Sequence, residues 1–125
     1  MYLPNVNIQH VEWSEAAPNL ARALADYASE AGQEVKDGNA FAFKVGKAYA
    51  LLRAEGSELV IVGYEGDHTL KLCAPVIAKF AKKMGAKSIR VHTQRRGELR
   101  FLNSIGLGFE LVEQRPDEFV LRLIL

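Results

Sequence analysis

The sequence predicts an α/β (α+β) fold: a single mixed sheet in which an antiparallel meander leads into a βαβ crossover, followed by a short helix and a C-terminal hairpin. Three observations carry this expectation. Three strand-like runs, Ala40–Val45, Lys47–Ala54 and Glu58–Glu65, are separated only by Gly46 and by Glu55-Gly56-Ser57, the chemistry of tight hairpin turns. A helical stripe of Leu70, Cys73, Val76, Ile77, Phe80, Ala81 and Met84 then stands between Glu58–Glu65 and a further run, Ser88–Thr93. A helix between two such runs implies a crossover that leaves the strands parallel. Finally, the turn Arg115-Pro116-Asp117 divides the last segment into Gly108–Glu113 and Glu118–Leu125.

Taken in order, the elements have local causes. Leu20, Leu24, Tyr27, Ala28 and Ala31 recur on one face of a first helix that Gly32 can end. Ser14 could cap it, but Pro18 suits the first helical position, where its missing N–H costs nothing, so the later start is preferred. In the third run of the meander, Leu59-Val60-Ile61-Val62 is continuously apolar, as a central strand covered on both faces requires. Thr69 or Asp67 can cap the next helix and Gly85 can end it, while Pro75 should kink its first turns or mark a later true start. In Ser88–Thr93, Ile89 and Val91 alternate inward with Arg90 and His92 outward. Glu98–Ile105 reads as a short helix closed by Gly106.

Composition bounds the function. The chain has 125 residues, 49% hydrophobic and 25% charged, and this suits one soluble domain over residues 1–125 with a core that needs no staple. The lone Cys73 excludes an internal disulfide and points to a reducing, cytoplasmic compartment. No apolar run approaches the ~18 residues of a membrane span, and Met1-Tyr2-Leu3-Pro4-Asn5 does not read as a signal peptide. His10, His68 and His92 lack the spacing of metal ligands, and no serine lies in a nucleophile-elbow context, so neither a metal site nor hydrolase chemistry is expected.

The near-neutral total conceals an asymmetry. Residues 1–70 carry 5 basic and 10 acidic side chains, whereas residues 71–125 carry 11 and 5. Between Lys71 and Arg100 nine basic residues face a single acid, Glu98, a pattern that suits an anionic partner or a solvated helix face. Within it, Gln94-Arg95-Arg96-Gly97 is a turn before a helix, able to grip a phosphate. Only Phe80 is aromatic in the stretch from Lys79 to Arg100, so a stacking surface for single-stranded nucleic acid is not expected.

The order of elements, with Phe101-Leu102-Asn103-Ser104-Ile105-Gly106 leading into a C-terminal hairpin, resembles the GNAT N-acetyltransferase superfamily over roughly residues 10–125. The stretch Arg100–Ile105 followed by Gly108-Phe109-Glu110 is similar to divergent GNAT-like proteins of phages and prophages. The resemblance implies acetyl-CoA as cofactor, without metal, lying where Glu58–Glu65 and Ser88–Thr93 splay apart. The pantetheine arm would pair with the backbone of Ile61, Val62 and Gly63, and Gly66, Asp67, His68 and Thr69 would lie at the pyrophosphate, with Arg95 and Arg96 at the 3′-phosphate. It implies a CoA thioester and an amine as substrates, no membrane or nucleic-acid partner, and acceptor specificity set by loops at Gln33–Asn39 and Arg115–Glu118.

For the base that deprotonates the amine, Glu65 and Tyr64 at the end of the central strand stand first and His92 on the adjacent strand third. The chain departs from the family's pattern in two places. No register of residues 63–70 supplies its Gln/Arg-x-x-Gly-x-Gly/Ala loop, and the position of its acid tyrosine falls on Leu102, or on Ser104 if counted from Gly108. Two expectations therefore stand together: a GNAT-type acyltransferase, and a GNAT-fold protein without catalysis that serves binding or assembly. The second could pair with another copy of the chain or with a phage protein, and would place the chain in a virion.

Overall fold

The structure, a computed structural model, describes residues 7–66 and 68–125. Seven strands form one mixed sheet in the order β1-β2-β3-β4-β5-β7-β6. The elements are β1 (Ile8–His10), α1 (Trp13–Leu24), α2 (Ala28–Lys36), β2 (Ala40–Val45), β3 (Ala48–Glu55), β4 (Glu58–Glu65), α3 (Leu70–Lys83), β5 (Ser88–Thr93), α4 (Glu98–Ser104), β6 (Glu110–Gln114) and β7 (Phe119–Ile124). Every neighbouring pair is antiparallel except β4 and β5, the crossover through α3. The mixed sheet, meander, crossover, short helix and hairpin follow the expectation from sequence.

The helices divide between the two faces of the sheet. On one face Ala16, Leu20 and Leu24 of α1 and Ala31 of α2 pack on Ala40, Ala42 and Leu51, with Trp13, Tyr49 and Val62 around them. On the other, Cys73 and Ile77 of α3 pack on Val45, Ala48, Ala50 and Leu52. The same layer continues through Ala81, Ile89, Leu102, Phe109 and Leu121, which join α3, β5, α4 and β7. Strand β4 is covered on both faces, as its apolar run requires: Val62 packs on the α1 side, Leu59 and Ile61 on the α3 side. Burial of these aliphatic side chains is the main stabilising term, at roughly 25 cal/mol for each Å² of apolar surface removed from water.

The first helical region differs from the sequence expectation at both ends. Helix α1 begins at Trp13, five residues before Pro18, and the chain stays helical through Gly32 to Lys36 after a single 3₁₀ turn at Ala25–Tyr27. Pro18 sits inside α1 and Pro75 inside α3, and neither proline starts or ends its helix. The reason is shared: each proline is the sixth residue of its helix, so the carbonyls deprived of a partner belong to Ser14 and Lys71, both exposed and able to bond water. Gly32 lies inside α2 with the Trp13 indole against it, Nε1 3.0 Å from where a Cβ would stand, and the left-handed glycine that follows the helix end is Gly38, φ 78°. Strand β1 was not expected at all. Its three residues pair with Phe43–Val45 at the sheet edge, and so short a run has no periodicity of its own.

Candidate functional site

Strands β4 and β5 begin side by side and then part. Four residue pairs join them, from Glu58 with Ser88 to Ile61 with Val91, and beyond these the two strands share no pairing. Two local causes separate them. In the β3–β4 ladder Leu51 stands opposite Gly63 and Leu52 opposite Ile61, so Val62 is a bulge residue that adds twist to β4. Strand β5 meanwhile stays paired with β7 as far as Thr93 and Phe119, and so follows the other half of the sheet. The result is a mouth with one backbone edge of residues 62–65 left open.

Gly63 and Gly66 line this end of β4 because nothing larger fits. A Cβ on Gly63 would lie 2.8 Å from Leu24 Cδ2, and one on Gly66 would lie 2.6 Å from both Ala48 Cβ and Thr69 Oγ1. Leu24 is followed by Ala25 at φ 46°, ψ −121°, a strained conformation for a residue with a side chain, at the junction of α1 and α2 above the bulge.

The loop into α3 is held by hydroxyls. Thr69 Oγ1 donates to the Gly66 carbonyl at 2.8 Å, and the Tyr64 hydroxyl therefore donates to Thr69 Oγ1, at 2.6 Å. Burial pushes the Tyr64 phenol up from its usual value, with the neighbouring Cys73 adding to the effect. Cys73 itself is buried and its thiol meets the Val45 carbonyl at 3.3 Å. Thr69 occupies the N-cap of α3 without a capping hydrogen bond from its side chain; its carbonyl accepts from the Leu72 amide at 3.0 Å, and among the described residues no side chain bonds the Leu70 and Lys71 amides that open this 14-residue helix. Asp67, the other cap expected from sequence and a candidate cofactor contact, lies outside the described residues. His68 precedes the helix in a left-handed conformation, φ 57°.

The candidate bases separate. Tyr64 packs in the core beneath α3, whereas Glu65 turns to the opposite face, where both its oxygens are engaged by the Arg22 guanidinium of α1, Nε to Oε1 at 3.1 Å and Nη2 to Oε2. These two side chains serve opposite faces of the sheet. His92, across the mouth on β5, is held at both ring nitrogens: Arg90 Nε donates to Nε2 at 3.0 Å, and Nδ1 meets Glu118 Oε1 at 3.1 Å. The Arg90 contact leaves Nε2 as an acceptor, so the proton is on Nδ1 and is donated to Glu118. His92 thereby holds the Glu118 carboxyl below its usual value, helped by Arg115. Arg95 and Arg96 stand exposed on the turn between β5 and α4, the Arg95 amide bonded to Thr93 Oγ1 at 3.0 Å.

Sequence reasoning missed the ion-pair array on this face. Glu58 accepts from Arg122 Nε at 2.6 Å, Arg90 Nη1 at 2.9 Å and Ser88 Oγ at 2.8 Å. Arg122 foremost brings the Glu58 carboxyl down to about 2, because these partners stabilise its charged form. Arg90 continues to Glu55, which Arg53 also binds, and Arg53 reaches Glu34 and Tyr27 of the first helical region. Helices α1 and α2 leave the β5-β7-β6 part of their face bare, and a concavity of about 410 Å³ opens there among Arg90, His92, Glu113, Arg115 and Arg122. The outward alternation of Arg90 on β5 was the one signal available in sequence; nothing local marks Glu58 or Glu118 as its partners. Among the described residues no group of three His, Cys, Asp or Glu side chains could hold a metal ion, and no helix is long and apolar enough to cross a membrane.

No family model and no curated protein matches the chain. Solved structures do. The chain is similar to an IAA acetyltransferase from Bacillus cereus, with TM-score 0.76 and 13% identity over 97% of this chain and 100% of that one. It is similar to an acetyltransferase of Bacillus subtilis in complex with CoA, with TM-score 0.69 and 15% identity over 96% and 97% of the two chains. The ribosomal-protein-S18-alanine N-acetyltransferase of Escherichia coli aligns with TM-score 0.69 and 14% identity over 96% and 94%. Others of these structures are described as GNAT family members, and the fold of this chain is theirs.

Proposed function

We propose that this chain, carrying the GNAT acetyltransferase fold, is an N-acyltransferase that moves an acetyl group from acetyl-CoA to an amine. The observation that carries the reading is the parting of β4 from β5 beside the start of α3, which among the described residues no side chain caps. An extended acyl-pantetheine arm needs an open strand edge, which β4 offers at Val62 and Gly63 once Ile61 has made its last pair with Val91, and a pyrophosphate needs unpaired amides, which the start of α3 offers among the described residues. Gly66, His68 and Thr69 stand at that start, and Arg95 and Arg96 stand on the turn after β5 as cations for the 3′-phosphate. The CoA complex of the Bacillus subtilis relative supports the assignment.

In this reading the thioester lies in the mouth and the amine approaches from the α1 face, where Glu65 stands. Glu65, directly or through a water, takes the proton of the substrate ammonium; Arg22 keeps its carboxylate aimed until the substrate arrives. His92, with Nε2 committed to Arg90, shapes the far wall of the mouth and orders Glu118. Tyr64 fixes the loop through Thr69.

A second reading keeps the fold and drops the chemistry: a binding or assembly protein, favoured by the clamp on Glu65 and by Leu102 at the position of the family's acid tyrosine. Calorimetric titration with acetyl-CoA and CoA tests both. Binding of either at or below millimolar concentration, with thiol release in the presence of an amine panel, supports the enzyme; binding without thiol release supports the second reading. If neither ligand binds at millimolar concentration, the acyl-CoA site is refuted.

A further inference from the structure

Departure of CoA leaves a thiolate that needs a proton, and neither Tyr64, turned into the core beneath α3, nor the buried Leu102 supplies one to the mouth. One carboxyl is placed to do so. Glu98 is the first residue of α4, whose buried stripe is formed by Leu99 and Leu102. Asn103 lies on one flank of that stripe and holds the chain before β6, its Oδ1 accepting from the Phe109 amide at 2.8 Å and its Nδ2 donating to the Phe109 carbonyl at 3.0 Å. At 3.6 residues per turn Glu98 falls on the opposite flank. That flank is the one turned away from the Phe109 contact, and Leu99 beside it belongs with Leu70 of α3 to the cluster that includes Ile61 and Val91, the last paired residues before the mouth. Glu98 is half-buried; its amide donates to the Arg95 carbonyl at 3.2 Å, and its carboxyl forms no hydrogen bond among the described residues.

We infer that Glu98 is the general acid of the proposed transfer, donating its carboxyl proton to the sulfur of the departing CoA. The inference rests on the acyl-CoA reading. Burial supports it by raising the Glu98 carboxyl above its usual value, against the smaller opposing effect of Arg95, so that a fraction stays protonated nearer neutrality. The step balances. Glu65 takes one proton from the ammonium, and the amine lone pair then forms the C–N bond at the acetyl carbonyl while the π pair moves to oxygen. As the carbonyl re-forms, the C–S bond breaks with its electrons on sulfur, and the Glu98 proton makes CoASH. The surplus proton leaves the nitrogen, and solvent exchange between Glu65 and Glu98 resets both.

The experiment compares wild type with Glu98→Gln and Glu98→Asp, melting temperatures being matched first. Acetyl-CoA affinity is read by calorimetry, thiol release across a pH series, and the Glu98 carboxyl by carbon-13 NMR of the acetyl-CoA-free chain. Expected are an unchanged acetyl-CoA Kd, a loss of about 100-fold in kcat for Glu98→Gln with its alkaline limb removed, a partial recovery in Glu98→Asp, and titration of the Glu98 carboxyl above the usual range. Wild-type turnover with an unaltered pH profile in Glu98→Gln overturns the assignment, as does titration of Glu98 in or below the usual carboxylate range. So does acetyl-CoA binding by the wild type without thiol release above the Glu98→Gln level. Absence of acetyl-CoA binding refutes the acyl-CoA reading itself and the assignment with it, so the two failures are told apart by the wild-type titration.

Discussion

Gly63 has no side chain because Leu24 already occupies the space, 2.8 Å from a Cβ that would stand there. Gly63→Ala is therefore expected to lower stability by about 1–3 kcal/mol, since a well-packed core yields poorly to an added methyl. Trimming the opposing side chain should relieve it: the Gly63→Ala, Leu24→Ala double variant should cost about 1 kcal/mol less than the sum of the two single variants, measured by urea unfolding. An additive result would show that Leu24 does not enforce the glycine. At this scale the sequence allowed Gly63 and Gly66 to be picked out as glycines at the end of a strand, and their packing explains why they are there. It could not show what Glu65 or Glu58 touches. Their partners Arg22 and Arg122 stand 43 and 64 residues away in the chain, and such pairings follow from sheet order and helix placement, not from local pattern.

Elements whose evidence is local were legible. The meander β2–β4, the helix α3 and the strand β5 follow from alternation, helical spacing and turn residues. Those that depend on surroundings were not: β1 exists because β2 offers an edge, and α1 starts before Pro18 because the residue whose carbonyl loses its partner, Ser14, is exposed. A proline inside a helix still forgoes one backbone bond. Pro18→Ala is expected to stabilise the chain by about 1–3 kcal/mol, read as a raised Tm, with no change in helix content by circular dichroism. A fall in Tm would mean that the helix bends at Pro18 in a way its packing on the sheet requires.

Across the whole molecule, carboxylates held by guanidinium groups set the acid limit of stability. Glu58, brought down to about 2 from an ordinary 4.5, binds its proton more readily in the unfolded chain than in the folded one. Its contribution is fully present above about pH 4.5 and is lost as pH falls toward 2, and Glu55 and Glu118, also lowered, act in the same direction. With a Glu58 side chain 13% exposed, and after allowance for solvent screening, Glu58→Gln should cost roughly 1–2 kcal/mol at neutral pH. The variant should also show a shallower fall of Tm between pH 4.5 and 2 than the wild type; parallel Tm profiles would place the acid limit elsewhere. The four-pair ladder between β4 and β5 has a mechanical consequence as well. It is the seam between two half-sheets, each continuous in sequence, one running from β1 to β4 and the other from β5 to β6 and β7. A seam sewn at one end is compliant at the other, so under load the halves should hinge about Ile61 and Val91. A molecule wedged in the mouth would then stiffen the whole sheet, much as a keystone closes an arch.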